Sequence, residues 1–320
     1  MAATDQQQLL ALLLPSKGRF LDLLLTLAFA PLKAPRGFAV KFVVCANYTS
    51  LQLTILRKLF SNRARFIDER DLEWQGMTGA YNYALAEATN MGATWAALWA
   101  DDLLPEKSSW LDMLFPKITS PDFRLGIFSS DEGNHKGRFG WNIFAGYPCA
   151  HFFVVRIDAL PGHMLNPKLK AYVSDNEIAI SRIKAGIRVD LLPIRVIHQP
   201  TANSTRKNNS PAYNSDLESF YIIHPELRGK LDAIVLRGDT TDVNCQFVVD
   251  DGNQRQFGID TSPVTLTIDA FQAQAQVTRH RLGIRVIGLL RKLWNEVLMS
   301  PHFALRSAVG QLRRRIRRAA

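Results

Sequence analysis

An α/β fold with an open, mostly parallel sheet and helices on both faces is what this sequence predicts, on three observations. Between residues 9 and 100, apolar runs of strand length alternate with segments of helical period. The fourth run, "TWAALWA", shows no polar alternation, as expected of a strand covered on both faces. Turn-forming and charged residues gather where strands end, in "PSKGR" after the first run and "DDLLP" after the fourth. In open α/β sheets ligands bind at that end of the strands.

The elements follow in order. "LLALLLP" is a strand that runs into the loop "PSKGR", and "FLDLLLTLAFA" has the apolar spacing of a helix. "FAVKFVVCAN" is the second strand, "TSLQLTILRKLF" the next helix and "RARFIDE" a short third strand. "GMTGAYNYALAEATN" is a helix with small residues at its entry, and it leads to the fourth strand. Beyond residue 120 the alternation loosens. "FRLGIFSS" and "HFFVVRI" predict strands around the Gly- and aromatic-rich "GNHKGRFGWNIFAGYPCA". "DNEIAISRIKAG" predicts a helix closed by Gly186, and "LLPIRVIHQP" a last strand. "TANSTRKNNSPAYNS" is expected to be a polar loop. Residues 1–227 therefore form the main domain. Residues 228–278, with β-branched runs and the turn signal "VVDDGNQRQFGI", form a small hairpin-based extension, in which Asp250 and Asp251 beside Gly252 mark a tight turn.

Composition narrows the class. The chain of 320 residues is 47% apolar and 21% charged, ordinary for a soluble protein with a real core. No apolar run reaches the roughly 18 residues of a membrane span. The first residues lack the basic start of a secretory signal and are expected to lead into a strand. Cys45, Cys149 and Cys245 show no metal spacing and no disulfide framework, which fits a reducing, cytoplasmic compartment. The net charge is +10, and residues 279–320 hold eleven Lys or Arg against one acid, so the whole excess belongs to that tail. There Ile284, Ile287, Leu290, Trp294 and Val297 recur at helical spacing between arginines, and Pro301 divides two helices. A basic amphipathic helix with Trp suits an anionic membrane surface. Packing of that stripe on the main domain is the competing expectation. Nothing upstream looks like a nucleic-acid module, so nucleic acid is not an expected partner.

The candidate chemistry starts from Asp101 and Asp102. A strand that stops in two acids has either a turn to make, as a cap for the segment after it, or a cation to hold. His198 also stands where an apolar strand ends, and Asp175 stands at the start of a helix. A hard divalent ion takes carboxylate oxygens, accepts an imidazole and keeps positions open for phosphate oxygens. Asp102 and His198, both at strand ends, are candidate ligands for such an ion. Taken singly, His198 reads as a surface histidine and Asp175 as a helix cap.

The order "LLLPSKGR", "GMTGAYNYALAEA", "LWADDLLPEKSSWLD" and "AYVSDNEIAISRIKAGIRVDLLPIRVIHQP" resembles that of a GT-A-fold, family-two-like nucleotide-sugar glycosyltransferase over residues 10 to 220. The resemblance places Pro15, Ser16, Lys17, Gly18 and Arg19 in the family's nucleotide loop. It places Gly76, Ala80 and Asn82 in its helix entry near the nucleotide-sugar, and Asp101 and Asp102 in its DxD-type motif. Asp175 resembles the family's late acid before a helix, and His198 its late metal-binding histidine. Three positions depart from the pattern: Ala100 replaces a first acid, Tyr81 a common Arg, and Asn47 a common acid that contacts the base.

The resemblance implies a metal-dependent, inverting transfer of a sugar from a nucleotide-diphosphate donor to a glycan or other hydroxyl acceptor. Mn²⁺ or Mg²⁺ is the implied cofactor, bound by Asp102 and His198. Pro15, Ser16, Lys17, Arg19, Asn47, Gly76, Asn82 and Asp101 are the implied donor-binding residues. Asp175 is the implied base on the acceptor, with Glu177 in reserve. Arg206 and Lys207 are candidates for added positive charge near the phosphates, with solvated surface charge the favoured reading for both. Trp110, Trp141, Phe144 and Tyr147, in or beside loops at that end of the sheet, are candidates for stacking on the acceptor sugar, with core packing the rival reading and the favoured one for Phe144. The alternative is a non-catalytic nucleotide- or glycan-binding protein on the same fold.

Overall fold

The computed structural model describes residues 7–73, 76–130, 140–144, 147–198, 210–228, 233–237, 246–248, 254–256 and 258–259. The whole basic tail, Arg206, Lys207 and Cys245 lie outside these residues.

The N-terminal half is the predicted alternation. Strand β1 (Gln8–Lys17) leads to helix α1 (Phe20–Phe29), β2 (Phe38–Asn47) to α2 (Ser50–Phe60), and β3 (Ala64–Asp68) to α3 (Gly76–Asn90), which leads to β4 (Trp95–Leu98). These four strands are parallel and lie side by side in the order β3-β2-β1-β4. The chain winds outward from β1 to β3, then crosses back to place β4 on the other side of β1. Leu10 to Leu14 have no exposed surface because helices cover both faces of the central strand. Thr49 caps α2 in a reciprocal capping box with Gln52, as the sequence T-S-L-Q allows.

Past β4 the sheet becomes mixed. Short β5 (Leu103–Pro105) precedes α4 (Trp110–Ile118) and β6 (Leu125–Ser130). The aromatic-rich stretch contributes β7 (Gly140–Phe144) and β8 (Tyr147–Pro148), and β9 (Phe153–Arg156) enters antiparallel between β4 and β6. Helix α5 (Ser174–Lys184) leads to β10 (Val189–His198), which runs parallel to β6 and antiparallel to β5. The part of the expected polar loop from residue 210 onward is helix α6 (Ser210–Ile223).

The described parts of the segment 228–278 are short strands. Strand β11 (Ala233–Arg237) pairs antiparallel with β7, and β14 (Gly258–Ile259) pairs with β10. Between them β12 (Gln246–Val248) and β13 (Gln254–Gln256) pair antiparallel as the predicted hairpin, whose turn at Asp250–Gly252 lies outside the described residues. No helix among the described residues is long and apolar enough to cross a membrane.

Gly76 opens α3 at φ 77°, and a Cβ there would stand 2.4 Å from the carbonyl oxygen of Lys170. Only glycine allows both that backbone conformation and that approach. Gly76→Ala is expected to cost about 2–4 kcal/mol, read as a lower midpoint in urea unfolding.

Candidate active site

The strand order reverses between β1 and β4, which makes a crevice at their carboxyl ends. The chain leaves β1 through Ser16, Lys17 and Gly18, whose φ of 71° turns it so that Arg19 begins α1. It leaves β4 through Trp99, Ala100, Asp101 and Asp102. That second turn is fixed from three sides. Trp99 N–H donates to Leu13 O of β1 at 2.9 Å, Tyr81 of α3 donates to Trp99 O at 2.8 Å, and Thr26 of α1 donates to Asp101 O at 2.7 Å. Tyr81, one of the departures from the family pattern, is thus a buried brace for the acid-bearing turn.

Both acids are buried, Asp102 to 2% exposure. Arg19 reaches across the crevice, with Nη1 2.9 Å from Asp101 Oδ1 and Nη2 bonded to Asp102 Oδ2. Its Nε is 3.3 Å from Asp22, which is also buried. Tyr48 donates to Ser16, and Ser16 donates to Asp101 Oδ2, each at 2.6 Å. Burial pushes the Asp101 carboxyl above its ordinary range; Arg19 pulls it back and neighbouring Asp102 adds to the rise. Burial also opposes the charge on Asp102, but His198 and Arg19 outweigh it and hold that carboxyl well below its usual range.

Asp22, Asp101 and Asp102 thus all pair with Arg19 in a place from which water is largely excluded. Asp102 Oδ1 lies 3.3 Å from His198 Nε2 and has no other hydrogen-bond donor among the described residues. Two neighbouring ligands of a six-coordinate ion, each about 2.1 Å from it, stand roughly 3 Å apart. The buried oxygen and the spacing fit a divalent cation held by Asp102 and His198.

His198 also lines a cleft of about 690 Å³ whose far wall carries Asp175. Asp175 lies in the first turn of α5, but not as its cap. The cap position belongs to Val173, a β-branched residue held at φ 52° and strained for that reason. The carbonyl of Asp175 accepts from Ala150 N–H at 3.0 Å, which brings the next residue, His151, against the carboxylate. His151 Nδ1 lies 2.6 Å from Asp175 Oδ2, and both side chains are about a quarter exposed, at 23% and 28%. Burial opposes the charge on Asp175, but His151 and the Asn176 amide hold its carboxyl below the usual range. Glu177 is directed elsewhere. It is buried and accepts from Asn166 and Ser181, and it does not line the cleft.

The remaining walls come from Met77, Tyr81, Phe152, Tyr172, Tyr213 and Leu217. Tyr172 and Tyr213 meet edge to face at 5.4 Å. These rings, rather than the expected ones, border the cleft. Trp110, Trp141 and Tyr147 are buried to 5% exposure or less, and the indole N–H groups of Trp110 and Trp141 donate to backbone carbonyls. Nothing is described of the Phe144 side chain.

Other expected site residues fall into two groups. Lys17 and Asn47 stand opposite each other in the β1–β2 register, at the outer side of the crevice, and both act on buried Glu69, whose carboxyl burial pushes up. Pro15, Ser16 and Asn82 serve the framework of the crevice. Pro15 and Ser16 continue β1 in register with β2. The Asn82 side chain accepts from Met164 and Leu165 N–H at 2.8 and 3.0 Å and donates to Leu165 O at 2.9 Å, which pins the loop under the cleft.

Two residues of this region are absent from the sequence-based expectations. His151 falls inside a predicted strand, although β9 begins only at Phe153. Asp216 is buried within α6 and accepts from the amides of Lys170, Ala171 and Tyr172 at 2.8–3.0 Å. It holds the loop that meets Gly76 and supplies Tyr172 to the cleft. Asp216→Ala leaves three amides without their acceptor and is expected to destabilise by about 3 kcal/mol, measured by chemical denaturation. Asp216→Asn, which keeps one carbonyl oxygen, is expected to cost less.

No family model matches the sequence, and no curated protein matches it. Among solved structures, the chain is similar to the mannosyltransferase PcManGT from Pyrobaculum calidifontis in complex with GDP-Man and Mn²⁺. The TM-score is 0.51 at 11% identity, over 95% of this chain and 79% of that one. It is also similar to glucosyl-3-phosphoglycerate synthase from Mycobacterium tuberculosis in complex with Mn²⁺, UDP and glucosyl-3-phosphoglycerate, with TM-score 0.47 at 11% identity over 79% and 88% of the two chains. A structure of S. aureus TarS residues 1–349 matches with TM-score 0.45 at 12% identity over 69% of this chain and 66%, just under two thirds, of that one. The likeness to the mannosyltransferase is one of fold, and with the strand order described above it shows the GT-A architecture that the sequence predicts.

Proposed function

We propose that the chain is a metal-dependent glycosyltransferase that moves a sugar from a nucleotide-diphosphate donor to a hydroxyl acceptor with inversion. The observation that carries this reading is the buried Asp102 oxygen 3.3 Å from His198 Nε2, at the edge of a cleft that also holds Asp175. Asp102 and His198 would hold Mn²⁺ or Mg²⁺, which supplies Lewis-acid neutralisation of the departing diphosphate. Arg19 pairs with both acids and holds them in place. Lys17 and Asn47 face the nucleoside end of the donor, and Asp101, Ser16, Gly76 and Asn82 shape its seat. Asp175, together with His151, forms the end of the cleft where the acceptor hydroxyl loses its proton, and Tyr172 and Tyr213 offer ring faces to an acceptor sugar.

The mannosyltransferase neighbour was solved with GDP-Man and Mn²⁺, so a guanosine donor belongs in the first screen beside uridine donors. The test is a thermal-shift panel of nucleotide-sugars with and without Mn²⁺, followed by release of nucleoside diphosphate from any binder. At least one donor is expected to raise the melting temperature only with the metal and then to be turned over. No shift with any donor, or an equal shift in EDTA, contradicts the reading. Metal-dependent binding without release would favour the non-catalytic alternative, for which Ala100 in place of an acid is the motivating residue.

Residues 279–320 are proposed to attach the enzyme to the anionic cytoplasmic face of a membrane. Truncation after Val277 removes all the net charge. The truncated protein is expected to lose co-sedimentation with phosphatidylserine vesicles at low salt, where each Lys or Arg at the surface contributes about 1 kcal/mol. Full-length protein that stays in the supernatant contradicts the membrane role. Insolubility of the truncated form assigns the apolar stripe to the core instead.

A further inference from the structure

The side chains of the cleft point to a refinement of the acceptor end. We propose that the group taking the acceptor's proton is the His151 imidazole, through Nε2, with Asp175 as its positioning residue; this rests on the glycosyltransferase reading above.

Both oxygens of Asp175 are already engaged. Oδ2 is 2.6 Å from His151 Nδ1, and Oδ1 accepts from the Asn176 amide at 3.0 Å in the first turn of α5. The carboxyl is also held below its usual range, which makes it a poor base near neutral pH. The imidazole gains what the carboxylate loses. A carboxylate on Nδ1 fixes the tautomer with the proton on that nitrogen, so the basic lone pair is on Nε2. It also stabilises the imidazolium that forms when Nε2 takes a proton, the logic of the histidine–aspartate pair in serine hydrolases. The bond from Ala150 N–H to Asp175 O fixes the two residues' backbones against each other. The residue after His151, Phe152, packs against the His198 ring with centroids 5.4 Å apart, so one short segment sets both the base and a proposed ligand of the ion.

The step balances with groups already named. The acceptor O–H bond breaks as its oxygen bonds to the anomeric carbon. The proton passes to His151 Nε2. The electron pair of the bond from the anomeric carbon to phosphate oxygen leaves with the nucleoside diphosphate.

The experiment uses the full-length protein, Mn²⁺ and whichever of GDP-mannose, UDP-glucose and UDP-N-acetylglucosamine it hydrolyses with water as acceptor. His151→Gln is expected to lower that rate by about 10²- to 10⁴-fold, while Mn²⁺-dependent binding of the same nucleotide stays within a few-fold. Asp175→Asn is expected to lower the rate comparably. Long-range ¹H–¹⁵N spectra of the histidines are expected to show the wild-type His151 ring protonated on Nδ1, with that signature lost in Asp175→Asn. A His151→Gln rate within three-fold of wild type overturns the proposal. So does a wild-type ring protonated on Nε2, even if the variants fail to fold. If no donor is bound or hydrolysed by the wild type, the glycosyltransferase reading fails, and with it the assignment of the proton, while the spectra still report whether the pair exists.

Discussion

Replacing Asp102 by Asn is expected to abolish Mn²⁺-dependent nucleotide binding without unfolding the protein. The substitution keeps the shape and leaves a carbonyl oxygen for Arg19. It removes the negative charge that faces His198 Nε2 at 3.3 Å. Loss of partners outside a metal's first shell already costs about 10- to 100-fold in affinity, so loss of a ligand should cost at least about 100-fold. His198 and Arg19 hold the Asp102 carboxyl below its usual range, so its charge stabilises the fold. The melting temperature without metal is therefore expected to fall modestly while the protein stays folded. A fall in melting temperature together with intact nucleotide binding would make Asp102 a structural acid.

Arg19→Met is expected to have the largest effect on stability. The guanidinium is the only cation that the described contacts place on all three acids. Its removal breaks three buried ion pairs at once, at a cost of about 3–5 kcal/mol. The pH dependence follows from the same charges. Without Arg19 the carboxyls of Asp101 and Asp102 titrate higher in the folded protein, since Arg19 lowers both. The folded variant then binds more protons than its unfolded chain, so its stability falls as pH rises through the carboxyls' folded-state range. The deficit relative to wild type is expected to be largest at pH 7 and above and to shrink toward pH 4. Mn²⁺ should recover part of it, because a ligand of the folded state stabilises by mass action. Thermal melts across pH, with and without Mn²⁺, measure both effects.

Much of this frame is legible in the sequence because local signals agree there. Apolar runs without alternation specify β1, β2 and β4, helical spacing specifies α1 to α3, and Gly18 and Gly76 mark places where the backbone needs positive φ. The acids at Asp101 and Asp102 and the histidine at His198 are visible as charges that end apolar strands. What stays hidden depends on partners distant in sequence. Asp216 looks like a surface acid of a polar stretch until the amides of Lys170 to Tyr172 close on it. The helix that carries it begins with Pro211 in its first turn, a start signal outweighed in the sequence by the surrounding Asn, Ser and Thr. Trp110 and Trp141 look like sugar platforms near loops, yet their indole N–H groups find backbone acceptors inside the core, which removes the objection to burying them. His151 gives no signal of its own; its meaning comes from the register that joins Ala150 to Asp175. Strand β5 has only three residues, and the paired strand β10 determines it more than its own composition does.

The cation is the central claim, and calorimetric titration of full-length protein with GDP and with UDP, in Mn²⁺ and in EDTA, tests it most directly. One of the nucleotides is expected to bind in Mn²⁺, to bind at least about 100-fold more weakly in EDTA, and to show the same loss in Asp102→Asn. Equal affinity in Mn²⁺ and EDTA, or wild-type affinity in Asp102→Asn, would contradict a metal held by Asp102 and His198.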